Sequence, residues 1–121
     1  MLFWRYTANF CRVVIDSFNI EVEDLDRHLR ESKPPVVLDV REPWEITICA
    51  LAGSVFIPMG QIQRRTRDIP RDETVVVVCH HGIRSHHVVG WLRRLGYTNA
   101  VNLRGGIDAW ARRIDPKMAI Y

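Results

Sequence analysis

The chain has 121 residues and a mass of 14.1 kDa, the size of one domain that can bury a hydrophobic core without disulfide or metal staples. An apolar fraction of 47% and a charged fraction of 26% exclude a disordered or fibrous chain. A net charge of +3 with a pI near 9.0 favours anions in a general way and is too weak to argue for nucleic acid.

The opening MLFWRYTANFCRVVI is apolar, but Arg5 and Arg12 interrupt it. No uncharged run approaches the roughly 18–20 residues of a membrane span, and no small-residue cleavage pattern follows, so no membrane association is expected. Residues 1–18 are expected to form an N-terminal extension or an edge strand packed on a domain spanning 19–121. The next segment, VEDLDRHLRE at 22–31, places Val22, Leu25 and Leu29 on one helical face, with acids early and bases late as the helix dipole favours. Lys33-Pro34-Pro35 stops it.

VVLDV at 36–40 is a short β-branched run, predicted as a buried strand, and SVFIP at 54–58 is a second. Between them EPWEIT forms a helical turn, with Pro43 early, where its missing N–H is harmless. Residues 60–68 are polar around an isolated Ile62 and are expected as a loop or a weak helix. The four valines 75–78 do not alternate, so both faces of that strand must be covered. From Ser85 to Leu95 the residues Val88, Trp91, Leu92 and Leu95 recur at helical spacing, and Gly96 ends the run. AVNL at 100–103 is a further strand, and after Gly105-Gly106 a short helix turns Ile107, Trp110 and Ile114 inward. The alternation predicts an α/β fold with a largely parallel central sheet and helices on both faces. The four tryptophans, Trp4, Trp44, Trp91 and Trp110, are expected in core or rim packing.

In such a sheet, sites gather where strands end and helices begin. Cys79 stands at that place after the valines, and His80–Arg84 follow it before the helix expected near Ser85. Free backbone N–H groups of the helix start, the turn made possible by Gly82, and the permanent charge of Arg84 each favour a thiolate over a thiol. Cys79 is therefore the candidate nucleophile. Cys11, Cys49 and Cys79 are an odd count without a CxxC pair, which argues against a disulfide framework and for a reduced, cytoplasmic setting. Four histidines, His80, His81, His86 and His87, crowd the same stretch. None shows the i, i+4 spacing of a helical zinc site, so no metal is expected.

Cysteine, four residues, then Arg84-Ser85 after a buried strand resembles the active-site loop of the rhodanese family. LDVREPWE at 38–45, AGSVFIP at 52–58 and LRGGIDAW at 103–110 resemble three further segments of that family, in order, and the resemblance covers roughly residues 19–113. It implies a rhodanese-like domain and a sulfurtransferase without a cofactor: Cys79 takes the outer sulfur of a donor such as thiosulfate as a persulfide and passes it to cyanide or a thiol. By position, His80, His81, Gly82, Ile83 and Arg84 would form the cradle, with Arg84 also engaging the donor's sulfonate. Asp39 and Arg41 would brace the site together with Ser85. Asp39 either satisfies nearby backbone N–H groups or pairs with Arg41. Where the family often has histidine before the glycine of AGS, this chain has Cys49 and Ala50-Leu51-Ala52, leaving Cys49 as a packing residue or a second thiol. Two rivals stand beside this reading: a phosphatase or arsenate reductase of the same fold, whose relatives place five residues between cysteine and arginine, and a non-catalytic binding module. The implied partners are a small anionic sulfur donor and a thiol or protein acceptor.

Overall fold

A computed structural model describes residues 18–121. All of the expected N-terminal extension except Phe18, including Trp4 and Cys11, lies outside the described residues. Five parallel strands form one sheet in the order β1-β5-β4-β2-β3: β1 Asn19–Ile20, β2 Val36–Asp39, β3 Val55–Phe56, β4 Val75–Val78 and β5 Ala100–Leu103. The helices are α1 Val22–Leu29, α2 Pro43–Ile48, α3 Ile83–Arg94 and α4 Gly106–Arg113. Two 3₁₀ segments, Met59–Gln61 and Gln63–Asp68, occupy the stretch expected as a loop or weak helix.

The valine run is the centre of the sheet because it has neighbours on both edges and both faces. Val75, Val77 and Cys79 point to a core shared with Leu38, Val88, Val89 and Leu92; Val76 and Val78 point to a second core with Leu25, Val101, Ile107 and Trp110. Hence α3 covers one face while α1 and α4 cover the other. All four valines are fully buried, and at about 25 cal/mol per Å² of apolar surface removed from water, this strand holds the two layers together. Trp110 lies in the second core, and Trp91 packs against the first from the other face. Trp44 is 60% exposed and meets only the rim, edge-on to Tyr121.

β2 and β4 are neighbours paired from Val36↔Val75 to Asp39↔Val78. From β2 the chain goes on to β3 at one edge, and from β4 to β5 on the other side. The connections thus diverge between β2 and β4, opening the crevice at their carboxyl ends where parallel sheets place their sites.

Candidate active site

β4 delivers Cys79, 1% exposed, into that crevice. Gly82 then takes φ +96°, a left-handed corner where a Cβ would lie 3.2 Å from both Gly105 N and Leu103 O. The corner turns the loop back on itself, so the Gly82 amide donates to Cys79 Sγ at 3.1 Å. It also starts α3 at Ile83, two residues earlier than the periodicity from Ser85 predicts, because the chain can enter helix directly after a glycine corner. Ser85 thereby lies in the first turn, where its amide and its Oγ each lie 3.3 Å from Sγ. Positive dipole and unpaired first-turn N–H groups point the same way.

Ser85 Oγ is also 2.5 Å from Asn102 Oδ1. Asn102 Nδ2 donates to Asn19 Oδ1 at 2.9 Å and to the Gly82 carbonyl at 3.3 Å, which fixes the amide's orientation. One hydroxyl proton thus faces two acceptors. With a thiol, S–H donates to Ser85 Oγ and the hydroxyl serves Asn102; with a thiolate, the hydroxyl can turn to the sulfur.

The loop backbone is clamped from α4. Ile107 N donates to Cys79 O at 2.9 Å and Asp108 N to His80 O at 3.0 Å. The approach is so close that a Cβ on Gly106, at φ +62°, would fall 2.5 Å from the carbonyl oxygens of Cys79 and His80.

β2 supplies the other half. Arg41 pairs with Asp39 through Nε at 2.9 Å and Nη2 at 2.8 Å, and its own amide donates to Asp39 Oδ1 at 3.1 Å. Both options raised for Asp39 are therefore present together, with both side chains buried. The remaining Arg41 donors reach Cys49 O at 2.7 Å and Tyr121 Oη at 2.9 Å. Cys49 is partly buried, 3.9 Å from Arg41 Nη1 through its sulfur.

Arg84 is turned toward α2. Its Nη1 and Nη2 meet Glu45 Oε1 and Oε2 at 2.7 and 2.9 Å, a two-pronged ion pair. Pro43 sets the start of α2, and Glu45 Oε1 accepts the Glu42 amide at 2.9 Å, so the carboxylate is fixed before Arg84 arrives. Arg84 holds the Glu45 carboxyl down to about 2, against burial, which pulls it up. Tyr121 donates to Glu45 Oε2 at 2.7 Å and accepts from Arg41, so its phenol joins the two ion pairs. Burial, with Glu45 beside it, pushes that phenol up to about 12. The Tyr121 ring stacks on His80 at 3.8 Å and 6°, and the His81 ring also stacks on His80 at 3.8 Å and 29°. Burial first, and then His81, lower His80 below the ordinary imidazole range.

The sequence-predicted residues thus divide into groups. Cys79, Gly82 and Ser85 meet at the sulfur. Ile83 contributes its place in the backbone only, since its side chain is 70% exposed. His80 and His81 form a stack with Tyr121, Arg84 is joined to Glu45, and Asp39–Arg41 stands behind them. Sequence reasoning missed Glu45, Asn102 and Tyr121. A polar residue inside the apolar run AVNL was a usable signal for Asn102; nothing local marked the other two.

Residues 21–113 match the Rhodanese-like domain family. A sulfurtransferase of Allochromatium vinosum is 37% identical over 100 residues, covering 83% of this chain and 94% of that protein. The probable adenylyltransferase/sulfurtransferase MoeZ of Mycobacterium tuberculosis is 32% identical over 121 residues; 93% of this chain is covered, but the match spans only 31% of MoeZ. Among solved structures, a rhodanese-related protein from Thermoplasma volcanium superposes with a TM-score of 0.74 at 35% identity, covering 80% of this chain and 93% of that one. A rhodanese-like domain protein from Staphylococcus aureus gives 0.75 at 33%, covering 86% and 98%. With the cysteine loop in place between β4 and α3, the chain belongs to the rhodanese-like domain family.

Proposed function

We propose that the protein is a sulfurtransferase that carries sulfane sulfur on Cys79. The observation that carries this reading is the convergence of the Gly82 amide, the Ser85 amide and the Ser85 hydroxyl on one buried sulfur. Three donors around a single atom stabilise negative charge there, as the thiolate that attacks the donor and that is released again when the acceptor removes the outer sulfur.

Thiosulfate is the proposed donor. The Cys79 thiolate attacks its outer sulfur, the S–S bond to the sulfonate breaks, and sulfite leaves with the electron pair. An acceptor nucleophile, cyanide or a thiolate, then attacks the outer persulfide sulfur and releases the Cys79 thiolate. No external oxidant, cofactor or metal enters this balance. Arg84, held by Glu45 through one hydrogen of each Nη and with 35% of its side chain open to solvent, receives the sulfonate end with its remaining N–H donors. Asp39 and Arg41 act as the brace behind it.

A protein or small-molecule thiol is the proposed acceptor in the cell, in a reduced compartment such as the cytoplasm, where an unpaired thiol is kept reduced. Among the described residues, no helix is long and apolar enough to cross a membrane. Side-by-side assays of sulfur transfer from thiosulfate to cyanide and of phosphate-ester hydrolysis test the proposal. Sulfur transfer that disappears in Cys79→Ser is the expected result; ester hydrolysis without sulfur transfer would overturn it.

A further inference from the structure

Two histidines follow the nucleophile, and the expectation of no metal rested on reading the histidine cluster at helical spacing. His80 and His81 precede α3, however, so helical spacing does not govern them. The close seating of α4 on the loop carbonyls brings Asp108 against them from 27 residues along the chain. Among the described residues, His80, His81 and Asp108 are the group of histidine, cysteine and acidic side chains whose ligating atoms come together, all within 4.8 Å of one another.

We propose that His80, His81 and Asp108 form a binding site for one borderline divalent cation, zinc being the reference ion. Two imidazoles and a carboxylate are a ligand set suited to zinc, copper or nickel rather than to magnesium or calcium. Ligands around one zinc at about 2.0–2.1 Å stand roughly 3.4 Å apart, so the group closes by a small contraction as the exposed His81 turns its ring out of the stack with His80. His80 Nε2 is buried with no hydrogen-bond partner, so nothing in the fold competes for it. Stacking on Tyr121 sets the plane of the His80 ring. Arg112 Nε holds Asp108 Oδ2 at 3.0 Å and leaves the second carboxylate oxygen available. Outer contacts of this kind orient the ligands of real metal sites.

Three protein ligands leave a zinc ion an open fourth position. Cys79 Sγ is not part of the group, so the cation would sit beside the sulfur centre and tie the loop to α4 without consuming the nucleophile. This separates the site from simple metal capture by a reactive thiol.

Zinc titration by calorimetry, carried out on the Cys79→Ser protein to remove that thiol, tests the assignment. One equivalent is expected to bind, with His81→Ala and Asp108→Asn each weakening it at least about tenfold. Asp108→Asn keeps the backbone amide that seats α4 and is the variant of choice should His81→Ala fold poorly. With copper(II) as the probe, the electron paramagnetic resonance spectrum should show coupling to imidazole nitrogen that changes in His81→Ala. No binding, or an affinity unchanged in both variants, as expected if zinc goes to His86, His87 or His28, would overturn the proposal. So would binding that requires Cys79.

Discussion

Arg84 and Glu45, 39 residues apart, meet through both guanidinium Nη atoms and both carboxylate oxygens at 2.7 and 2.9 Å. The charge that follows the nucleophile in sequence is therefore anchored to the helix after β2, and the cysteine loop and the Asp39–Arg41 brace become one unit. The sulfur itself is served by Gly82 and Ser85. In the proposed reaction, an Arg84 positioned in this way would meet the far end of the donor while Gly82 and Ser85 serve the sulfur.

This arrangement separates Arg84's fork from its charge. Arg84→Lys keeps the charge and loses the two-pronged geometry. It is expected to raise KM for thiosulfate about tenfold, with a smaller effect on kcat, as steady-state kinetics would show. An unchanged KM would remove Arg84 from donor binding.

Glu45 also sets a pH dependence. Its carboxyl is held down to about 2 by Arg84, against an ordinary 4.5. The folded state binds that proton less readily than the unfolded chain, so the stabilisation is fully present above pH 4.5 and is lost as pH falls through about 2. Glu45→Gln should lower stability at neutral pH by on the order of 1–3 kcal/mol, discounted for the solvent access of Arg84. It should also flatten the acid limb between these pH values. Denaturant midpoints measured across the range check both.

Tyr121 links the same two ion pairs through its hydroxyl and covers His80 with its ring. Tyr121→Phe deletes the hydroxyl and keeps the stack, leaving an Arg41 donor and a Glu45 acceptor without this partner. A loss of about 1–3 kcal/mol is expected. Tyr121→Ala should further expose His80, and its imidazole should titrate closer to the ordinary range in nuclear magnetic resonance. Burial is the largest cause of its present lowering.

Gly106 is the tightest point of the fold around the loop. A methyl group there would lie 2.5 Å from the carbonyl oxygens of Cys79 and His80, on a residue at φ +62°. Strain of about 1–3 kcal/mol at such a backbone position adds to the displacement of the loop. Gly106→Ala is expected to lower both the thermal midpoint and the rate of sulfur uptake. Gly60→Ala, where no atom lies within 4 Å of the new carbon, serves as the control.

The strands were the most legible part of the chain. β4 and β5 coincide with VVVV and AVNL, because a strand covered on both faces is a short, nearly continuous apolar run, interrupted in β5 by Asn102 alone. β3 is shorter than SVFIP, since only Val55 and Phe56 pair with β2. β1 is two residues long and leaves no period to detect. Cys79, Gly82 and Ser85 were legible as a site because a glycine corner and a helix start act within six residues. Glu45 and Tyr121 were not: their roles depend on partners 39 and 76 residues away, and tertiary pairing over such distances has no local signature. The start of α3 was misplaced for the same reason in miniature, since the first-turn residues Ile83 and Arg84 face outward or toward α2 and contribute nothing to an apolar stripe.

Whether Cys79 accepts sulfur as an anion in its ring of donors is decided by intact-protein mass spectrometry after incubation with thiosulfate. The expected result is a gain of one sulfur atom, reversed by cyanide, absent in Cys79→Ser and reduced in Ser85→Ala. A protein whose mass does not change, or one that gains sulfur equally well without Cys79, would contradict it.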